Sequence, residues 1–396
     1  MGGLFFVYSY GGTGKTFLWK TLSAAIRSKG EIVLNVPSSG IASLLLSGSR
    51  TSHSRFHIPL NLTEESICHI KPYGEVANLL KETKLIIWDE ALMIHKHAFE
   101  ALDRTMKDIF KSDDSLNSEM PFGGKVMVLG GDSRQILPVV ANGSRREIVN
   151  AFIILSYIWG ACKVLRLTKN MRLTIGNNTS ETEQTKSFAK WLLDLGEGNI
   201  GDSEDCEVTI DIPEDLLIKN SVDPLSSFID FVYPSLLQLY KNQDYFAERD
   251  ILAPTNEVVH EINEKLLALF PGEEVEYLRS DSICHTDQAK NMSHTNLYTP
   301  DILNGLKIAG LPNHRLILKV GVPVMLLRNI DQQNGLCNDT RLRITKLAKR
   351  VIEAEIISRG KIGTKTYIPR ITLIPSYKKI QSSFNDVNFR YQYVPQ

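Results

Sequence analysis

The stretch LFFVYSYGGTGKT, residues 4–16, decides the fold of the first part of the chain. An apolar run at residues 4–8 leads into glycines, and a lysine and a threonine follow in the register of a phosphate-binding loop between a strand and a helix. In such a loop the backbone N–H groups close on phosphates, and the helix N-terminus adds positive potential. The alternative, a plain glycine-rich turn, has no need of the lysine and threonine. We predict that ATP binds at Gly11, Gly12, Thr13, Gly14, Lys15 and Thr16.

Three residues in and beside this loop carry specific expectations. Lys15 is a predicted catalytic residue because it would reach the β- and γ-phosphates, and the Thr16 hydroxyl is a predicted ligand of Mg²⁺. Ser9 stands where the loop pattern prefers glycine. A serine is strained there if the position needs a positive φ. Weakened ATP binding is therefore an expectation.

Two further apolar runs end in polar residues. LIIWDE, residues 85–90, ends in Asp89 and Glu90, and VLGGDSRQILP, residues 128–138, contains Gln135. Two acids after a strand are weak evidence alone, but downstream of a phosphate loop they indicate a hydrolytic site. We predict that Asp89 holds Mg²⁺ through water and that Glu90 activates the attacking water. Gln135 is suited to contact the γ-phosphate or that water.

Five apolar runs set the fold class. They lie at residues 4–8, 32–36, 85–88, 126–129 and 164–167, and they barely alternate with polar residues. Such runs are typical of strands buried on both faces of a parallel sheet. Helical patterns lie between them, among them residues 15–29 and 91–110. The sequence thus predicts an α/β domain with a doubly wound parallel sheet.

The second half has a different pattern. It contains a strand at residues 250–253 and a helix at 257–270, capped by Thr255 or Asn256. Short strands separated by turns follow at 316–320, 322–327, 341–345, 351–357 and 366–374, and they predict a small antiparallel barrel.

Taken together, these motifs resemble those of petite-integration-frequency (Pif-type) DNA helicases of superfamily one, in a plant and mobile-element form. VPSSGIA at residues 36–42, TSHSRF at 51–56, LTKNMR at 167–172 and LAPTN at 252–256 follow the order of the family's other motifs. VMLLRN at 324–329 with NGLCN at 334–338 resembles its Src-homology-three-like insert. The resemblance covers roughly residues 4–375. It implies a RecA-like ATP-binding domain at 1–165, a partial second RecA-like domain at 166–275, and the β-barrel insert with an unassigned tail at 276–396.

The resemblance also implies roles for residues that the sequence alone leaves open. Arg172 would be an arginine finger, worth about 10³ to 10⁵ in rate; otherwise it is a surface arginine. The residues implied to contact DNA are Ser38, Ser39, His53, Phe56, Thr255 and Asn256. An exposed aromatic could stack on a base, but Phe56 could equally pack in the core. The serines, Thr255 and Asn256 are also of types that cap helices.

The implied activity is that of an ATP-dependent DNA helicase. It would move 5′ to 3′ on single-stranded DNA, act at duplex junctions, and serve DNA repair, recombination and telomere maintenance in the nucleus or an organelle. Two later family motifs, with a Ser-Gln-Gly and a Ser-Arg, are not found after residue 375. A less stable second half and weak unwinding are therefore expectations. The alternative is an impaired remnant that binds nucleotide and DNA without unwinding, and a third reading is an unrelated P-loop ATPase.

Charge and composition limit which partners and which kinds of site the chain can have. The net charge is zero, but residues 315–396 carry fifteen Lys and Arg against five Asp and Glu, a net of +10, so the rest carries −10. A polyanion partner and a solvated sheet surface explain this basic end equally well. The five cysteines form no C-x-x-C pair, which argues against a zinc site and a disulfide framework. No apolar run reaches the roughly 18 residues of a membrane span. We expect a monomer and no membrane partner.

Overall fold

The computed structural model describes residues 2–111, 120–140, 143–174, 179–200, 202–204, 207–218, 222–242, 244–253, 255–279, 314–331, 334–357, 362–371 and 391–392. The chain divides into two compact units, Met1–Pro213 and Glu214–Gln396. This division does not test the boundaries expected at 165/166 and 275/276, which stay predictions.

Unit 1 is built on a five-stranded parallel sheet in the order β2-β3-β4-β1-β5. The strands are β1 (Gly3–Ser9), β2 (Ile32–Pro37), β3 (Thr83–Asp89), β4 (Val126–Gly131) and β5 (Cys162–Leu167). A two-stranded pair, β6 (Asp202–Glu204) and β7 (Glu207–Thr209), follows. The helices are α1 (Lys15–Arg27), α2 (Ser52–Phe56), α3 (Glu75–Glu82), α4 (Lys96–Phe110), α5 (Arg145–Asn150) and α6 (Thr179–Glu197).

Apolar clusters cover both faces of the central strands, which confirms the reason for the non-alternating runs. On one face, the ring of Trp88 packs between Phe56 and Phe99, with centroids 5.5 and 4.4 Å away. On the other face, Trp19 of α1 is fully buried. The helix predicted at 91–110 is divided, because a 3₁₀ turn at Ala91–Met93 precedes α4.

The topology brings the functional motifs to one edge. All five strands are parallel, so their carboxyl ends lie together. The chain leaves β1 for the far edge of the sheet, returns through β3 and β4, and places β1 between β4 and β5. Ligands of doubly wound sheets bind where the strand order reverses in this way.

Unit 2 combines helices with antiparallel strands. The helices are α7 (Pro224–Val232), α8 (Leu236–Leu239) and α9 (Asn256–Leu269). The pair β8 (Val275–Leu278) and β9 (Arg315–Leu318) stands apart from a sheet in the order β13-β12-β11-β10-β14. That sheet contains β10 (Pro323–Leu326), β11 (Arg341–Leu347), β12 (Val351–Ile356), β13 (Lys365–Pro369) and β14 (Tyr391–Gln392).

The antiparallel strands follow the sequence prediction, whereas closure into a Src-homology-three-like barrel is not confirmed. The strand predicted at residues 250–253 is wrong: these residues pair with no strand of the described chain, and Leu252 is 84% exposed. The end of the strand predicted at 366–374 lies outside the described residues. None of the described helices combines the length and the apolar character needed to cross a bilayer.

Candidate active site

The loop between β1 and α1 has the shape of a phosphate cradle. Gly12 and Gly14 have φ values of 85° and 90°, which favour glycine. Both the backbone N–H and the hydroxyl of Thr13 donate to the Tyr10 carbonyl, at 3.3 and 2.8 Å, and close the turn. No side chain caps the N-terminus of α1, so its positive end faces the loop.

Ser9 does not carry the strain expected of it. It is the last residue of β1, it is buried, and it is not among the described non-glycine residues with positive φ. A serine therefore fits the backbone here without strain, while its buried Oγ makes no hydrogen bond to the described residues. The structure removes this ground for expecting weak ATP binding.

Lys15, the first residue of α1, meets both carboxylates from the end of β3. Its Nζ lies 3.0 Å from Glu90 Oε1 and 3.4 Å from Asp89 Oδ1. Burial alone would lower the pKa of the Lys15 ammonium, but the two carboxylates outweigh burial and leave that pKa raised. The structure thus brings together Lys15, Asp89 and Glu90, which are predicted to bind the phosphates, hold Mg²⁺ and activate water, and those roles stay predictions.

Glu90 occupies an unusual backbone position. Its φ and ψ are 53° and 40°, in the left-handed region that costs a non-glycine residue about 1 to 3 kcal/mol. The Glu90 N–H donates to Asp89 Oδ1 at 3.0 Å, which joins the two acids. Burial raises the pKa of the Glu90 carboxyl; Lys15 opposes this rise, and the charges of Asp89 and Asp132 add to it. A carboxylate with a raised pKa is suited to accept a proton near neutral pH.

The end of β4 contributes Asp132, which the sequence reasoning did not assign. Asp132 is buried, its carboxylate accepts from the Arg134 N–H at 3.0 Å, and its carbonyl accepts from the Gln135 N–H at 3.1 Å. Its position after a buried strand was the available signal. The Gln135 side chain is exposed and makes no hydrogen bond to the described residues. Its contact with a γ-phosphate stays a prediction.

The segment after β5 lies on the phosphate loop. The Met171 N–H donates to the Gly12 carbonyl at 2.8 Å, and the Arg172 N–H donates to Asn170 Oδ1 at 3.0 Å. The Arg172 side chain is exposed and makes no hydrogen bond to the described residues. The predicted finger therefore starts beside the loop with its guanidinium available. Asn170 is a second residue that the sequence reasoning did not assign.

The serines predicted to contact DNA already have partners within the protein. Ser38 Oγ accepts from Trp88 Nε1 at 3.1 Å, and the Ser38 N–H donates to the Asp89 carbonyl at 3.0 Å. Ser39 Oγ accepts from the Ala42 N–H at 3.3 Å. Ser38 thereby links β2 to the end of β3. DNA contact by either serine stays a prediction.

Phe56 lies in the core rather than on a surface. It is fully buried against Trp88 and leaves no ring face for a base. Phe56 therefore packs in the core, as the alternative predicted, and does not stack on DNA bases. His53, on the same short helix, is half-buried, and burial lowers its pKa. In unit 2, Thr255 caps α9, because its hydroxyl accepts from the Val258 N–H at 3.5 Å. Asn256 is the exposed first residue of α9.

Two protein-family models match this chain. A family model described as PIF1-like helicase matches residues 1–206, and one described as DNA helicase Pif1, 2B domain, matches residues 301–347. The ATP-dependent DNA helicase Pif1 of Psychrobacter sp. is 26% identical over 338 residues, which are 85% of this chain and 43% of that protein. The chain thus spans less than half the length of this curated relative.

Solved structures confirm the fold. A Pif1 structure described for DNA unwinding at forked double-stranded DNA is 20% identical, covers 99% of this chain and 77% of its own, and gives a TM-score of 0.61. The Bacteroides Pif1 helicase in complex with ADP-AlF3 and single-stranded DNA is 20% identical to this chain. The match covers 99% of this chain and 78% of that one, with a TM-score of 0.56. These likenesses support the predicted α/β class with a RecA-like core.

Proposed function

The chain belongs to the PIF1-like helicase family, and on that premise we propose that it is an ATP-dependent DNA helicase. The observation that carries the proposal is the contact of Lys15 with Glu90 and Asp89, at 3.0 and 3.4 Å, at the mouth of a phosphate loop. It would hydrolyse ATP and use that energy to move along single-stranded DNA and open duplexes. ATP, single-stranded DNA and duplex junctions are proposed as its ligands, because the relatives are described with these activities or molecules.

The residues fit a magnesium-bound triphosphate. Asp89 supplies a buried carboxylate, and the Thr16 hydroxyl makes no hydrogen bond to the described residues, so two hard oxygen ligands are available to Mg²⁺. When bound, Mg²⁺ would neutralise negative charge on the β- and γ-phosphate oxygens. The loop N–H groups and the positive end of α1 would hold the same phosphates.

Lys15 has to change partners in the cycle that we propose. In the structure its ammonium pairs with Glu90 and Asp89. Arriving phosphates compete for the ammonium, and the carboxylate of Glu90 is then free to accept a proton from the attacking water. Arg172 would approach the transferring phosphoryl group and stabilise its charge. Gln135 would report the presence of the γ-phosphate.

The remaining parts of the proposal rest on resemblance. Single-stranded DNA would be gripped through its phosphates, by residues such as Ser39, His53, Thr255 and Asn256. A 5′ to 3′ polarity, a monomeric state, a nuclear location, and roles in repair, recombination and telomere maintenance come from the same source. The helicase name of a relative matched over 85% of this chain favours an active motor over a remnant that only binds.

The first test is ATP hydrolysis by the purified chain, with and without single-stranded DNA. Turnover should rise with DNA and disappear in Lys15→Ala. Lys20→Ala is the matched control, because Lys20 is exposed on the same helix. A chain that binds nucleotide but shows no turnover above Lys15→Ala would be the binding remnant. Equal stimulation by an uncharged polymer would point instead to an unrelated P-loop ATPase.

A further inference from the structure

Two hydrogen bonds tie the segment after β5 to the phosphate loop. The Tyr10 hydroxyl donates to the Thr168 carbonyl at 2.5 Å, and the Met171 N–H donates to the Gly12 carbonyl at 2.8 Å. Both involve the backbone of the segment, so they fix its path rather than one side chain. The segment thereby follows the loop over residues 168–171.

Asn170 lies in the chain between Thr168 and Met171, the residues that make these two bonds. A Cβ placed on Gly12 would lie 2.2 Å from Asn170 Oδ1 and 2.9 Å from its Cγ, so the amide packs directly on the glycine. The same Oδ1 accepts from the Arg172 N–H at 3.0 Å. One side chain therefore touches the phosphate loop and holds the backbone of the predicted finger.

We propose that Asn170 is a positioning residue that fixes the backbone of Arg172 against the phosphate loop. This inference rests on the proposed function, and it names a residue that sets the geometry of the arginine. The Arg172 side chain is long and exposed and makes no hydrogen bond to the described residues, so its reach is set by where its backbone is held. A displacement of a reacting group by about 1 Å can lower the reaction rate about a hundredfold.

The chemistry of asparagine suits this place. Its short side chain can accept from the N–H two residues on, and it carries no charge. Aspartate would accept the same bond but would place a negative charge beside the phosphate loop. Alanine would leave the Arg172 N–H without its acceptor and would open a gap above Gly12. The φ of 85° already favours glycine at position 12, and a Cβ there would in addition crowd the Asn170 amide.

The test compares Asn170→Ala, Arg172→Ala and the double variant for DNA-stimulated ATP turnover and for ADP affinity. Asn170→Ala should lower kcat about tenfold, the scale of one lost hydrogen bond, and leave ADP affinity within about twofold. Because Asn170 acts through Arg172, the double variant should be no slower than Arg172→Ala. Lys169→Ala is the control, since Lys169 is exposed beside both residues.

Amide hydrogen exchange across residues 168–172 gives a readout that needs no turnover. The Met171 and Arg172 amides should exchange faster in Asn170→Ala than in Lys169→Ala. Losses in kcat that add in the double variant, or unchanged exchange at these amides, would overturn the positioning role. If wild type shows no turnover above Lys15→Ala, the proposed function fails, while the exchange comparison still decides whether Asn170 holds the segment.

Discussion

Glu90 combines an unfavourable conformation with a proposed catalytic role. Its left-handed backbone and its burial beside Asp89 both oppose stability. Only a surrounding structure that fixes it, here Lys15 and the end of β3, maintains such a conformation. Strained positions of this kind concentrate where a side chain has a chemical task. The conformation fits the catalytic role proposed for Glu90, although His57, Phe122, Ser235 and Asp339 share it without such a role.

Glu90→Gln should separate chemistry from binding. The amide keeps the shape of the side chain but cannot accept a proton, so ATP turnover should fall about 10²- to 10⁴-fold. ADP affinity should change by only a few-fold, because the loop and Lys15 are intact. Glu31→Gln is the control, since Glu31 precedes β2 at the opposite end of the sheet. Full turnover in Glu90→Gln would remove Glu90 from the mechanism.

The two neighbouring glycines of the phosphate loop should respond differently to alanine. Gly12 has φ of 85° and contacts Asn170, so Gly12→Ala should lower the free energy of unfolding by about 1–3 kcal/mol. Gly11 has no positive φ, and a Cβ placed on it would meet no atom within 4 Å, so Gly11→Ala should be neutral or slightly stabilising. Urea unfolding of both variants measures this. Equal stability of the two variants would mean that neither the positive φ of Gly12 nor its contact with Asn170 disfavours a Cβ at position 12.

At the scale of elements, the N-terminus of α4 contains a titratable cap. Nδ1 of His95 accepts from the His97 N–H at 3.2 Å, and the two imidazole rings stack at 4.4 Å. His97 in turn lies 2.9 Å from Glu100 Oε2. Burial, and next the neighbouring His97, lower the pKa of His95 to about 4. Only the neutral ring can accept the capping bond, so the cap depends on pH.

Stability should therefore fall in mild acid. The pKa of His95 is about 4 when folded against 6.5 for a free histidine, so the unfolded chain takes up the proton first. The contribution is complete above pH 6.5 and is lost as the pH falls towards 4, with a size on the order of 2 kcal/mol. His95→Asn keeps a capping side chain that does not titrate, and it should flatten the curve of unfolding free energy against pH. Equal slopes in both proteins would exclude His95 as the cause.

What the sequence could predict follows from the range of the interactions. The parallel strands were predictable because burial on both faces leaves apolar runs. The positions of Lys15 and Glu90 were predictable because Lys15 ends the glycine loop after β1 and Glu90 follows β3 directly. Asn170 was not, because its contact with Gly12 joins distant parts of the chain. Phe56 was ambiguous because a local motif does not show that Trp88 covers it. At 250–253 an apolar run gave a strand prediction without a neighbouring strand to pair with.

At the scale of the whole molecule, charge is unevenly distributed. Residues 315–396 carry a net of +10 in a chain of net charge zero. Part of that charge is paired, since Arg343 lies 2.7 Å from Glu355. Lys346, Lys349 and Arg350, at and near the turn between β11 and β12, are exposed and form no ion pair with the described residues. Variants of this turn can distinguish the two explanations of the basic charge, which are binding of a polyanion and a solvated sheet surface.

Neutralising Lys346, Lys349 and Arg350 to glutamine should weaken single-stranded DNA binding and reduce its salt dependence. Each phosphate contact releases counterions, so three lost contacts should make the slope of log affinity against log salt shallower by about 2. Lys20, Lys29 and Lys84 changed to glutamine remove the same charge from exposed positions of unit 1, and they should leave the slope unchanged. Titrations at several salt concentrations distinguish the two triple variants. If both have the wild-type slope, the turn does not contact DNA and its basic residues are a solvated sheet surface.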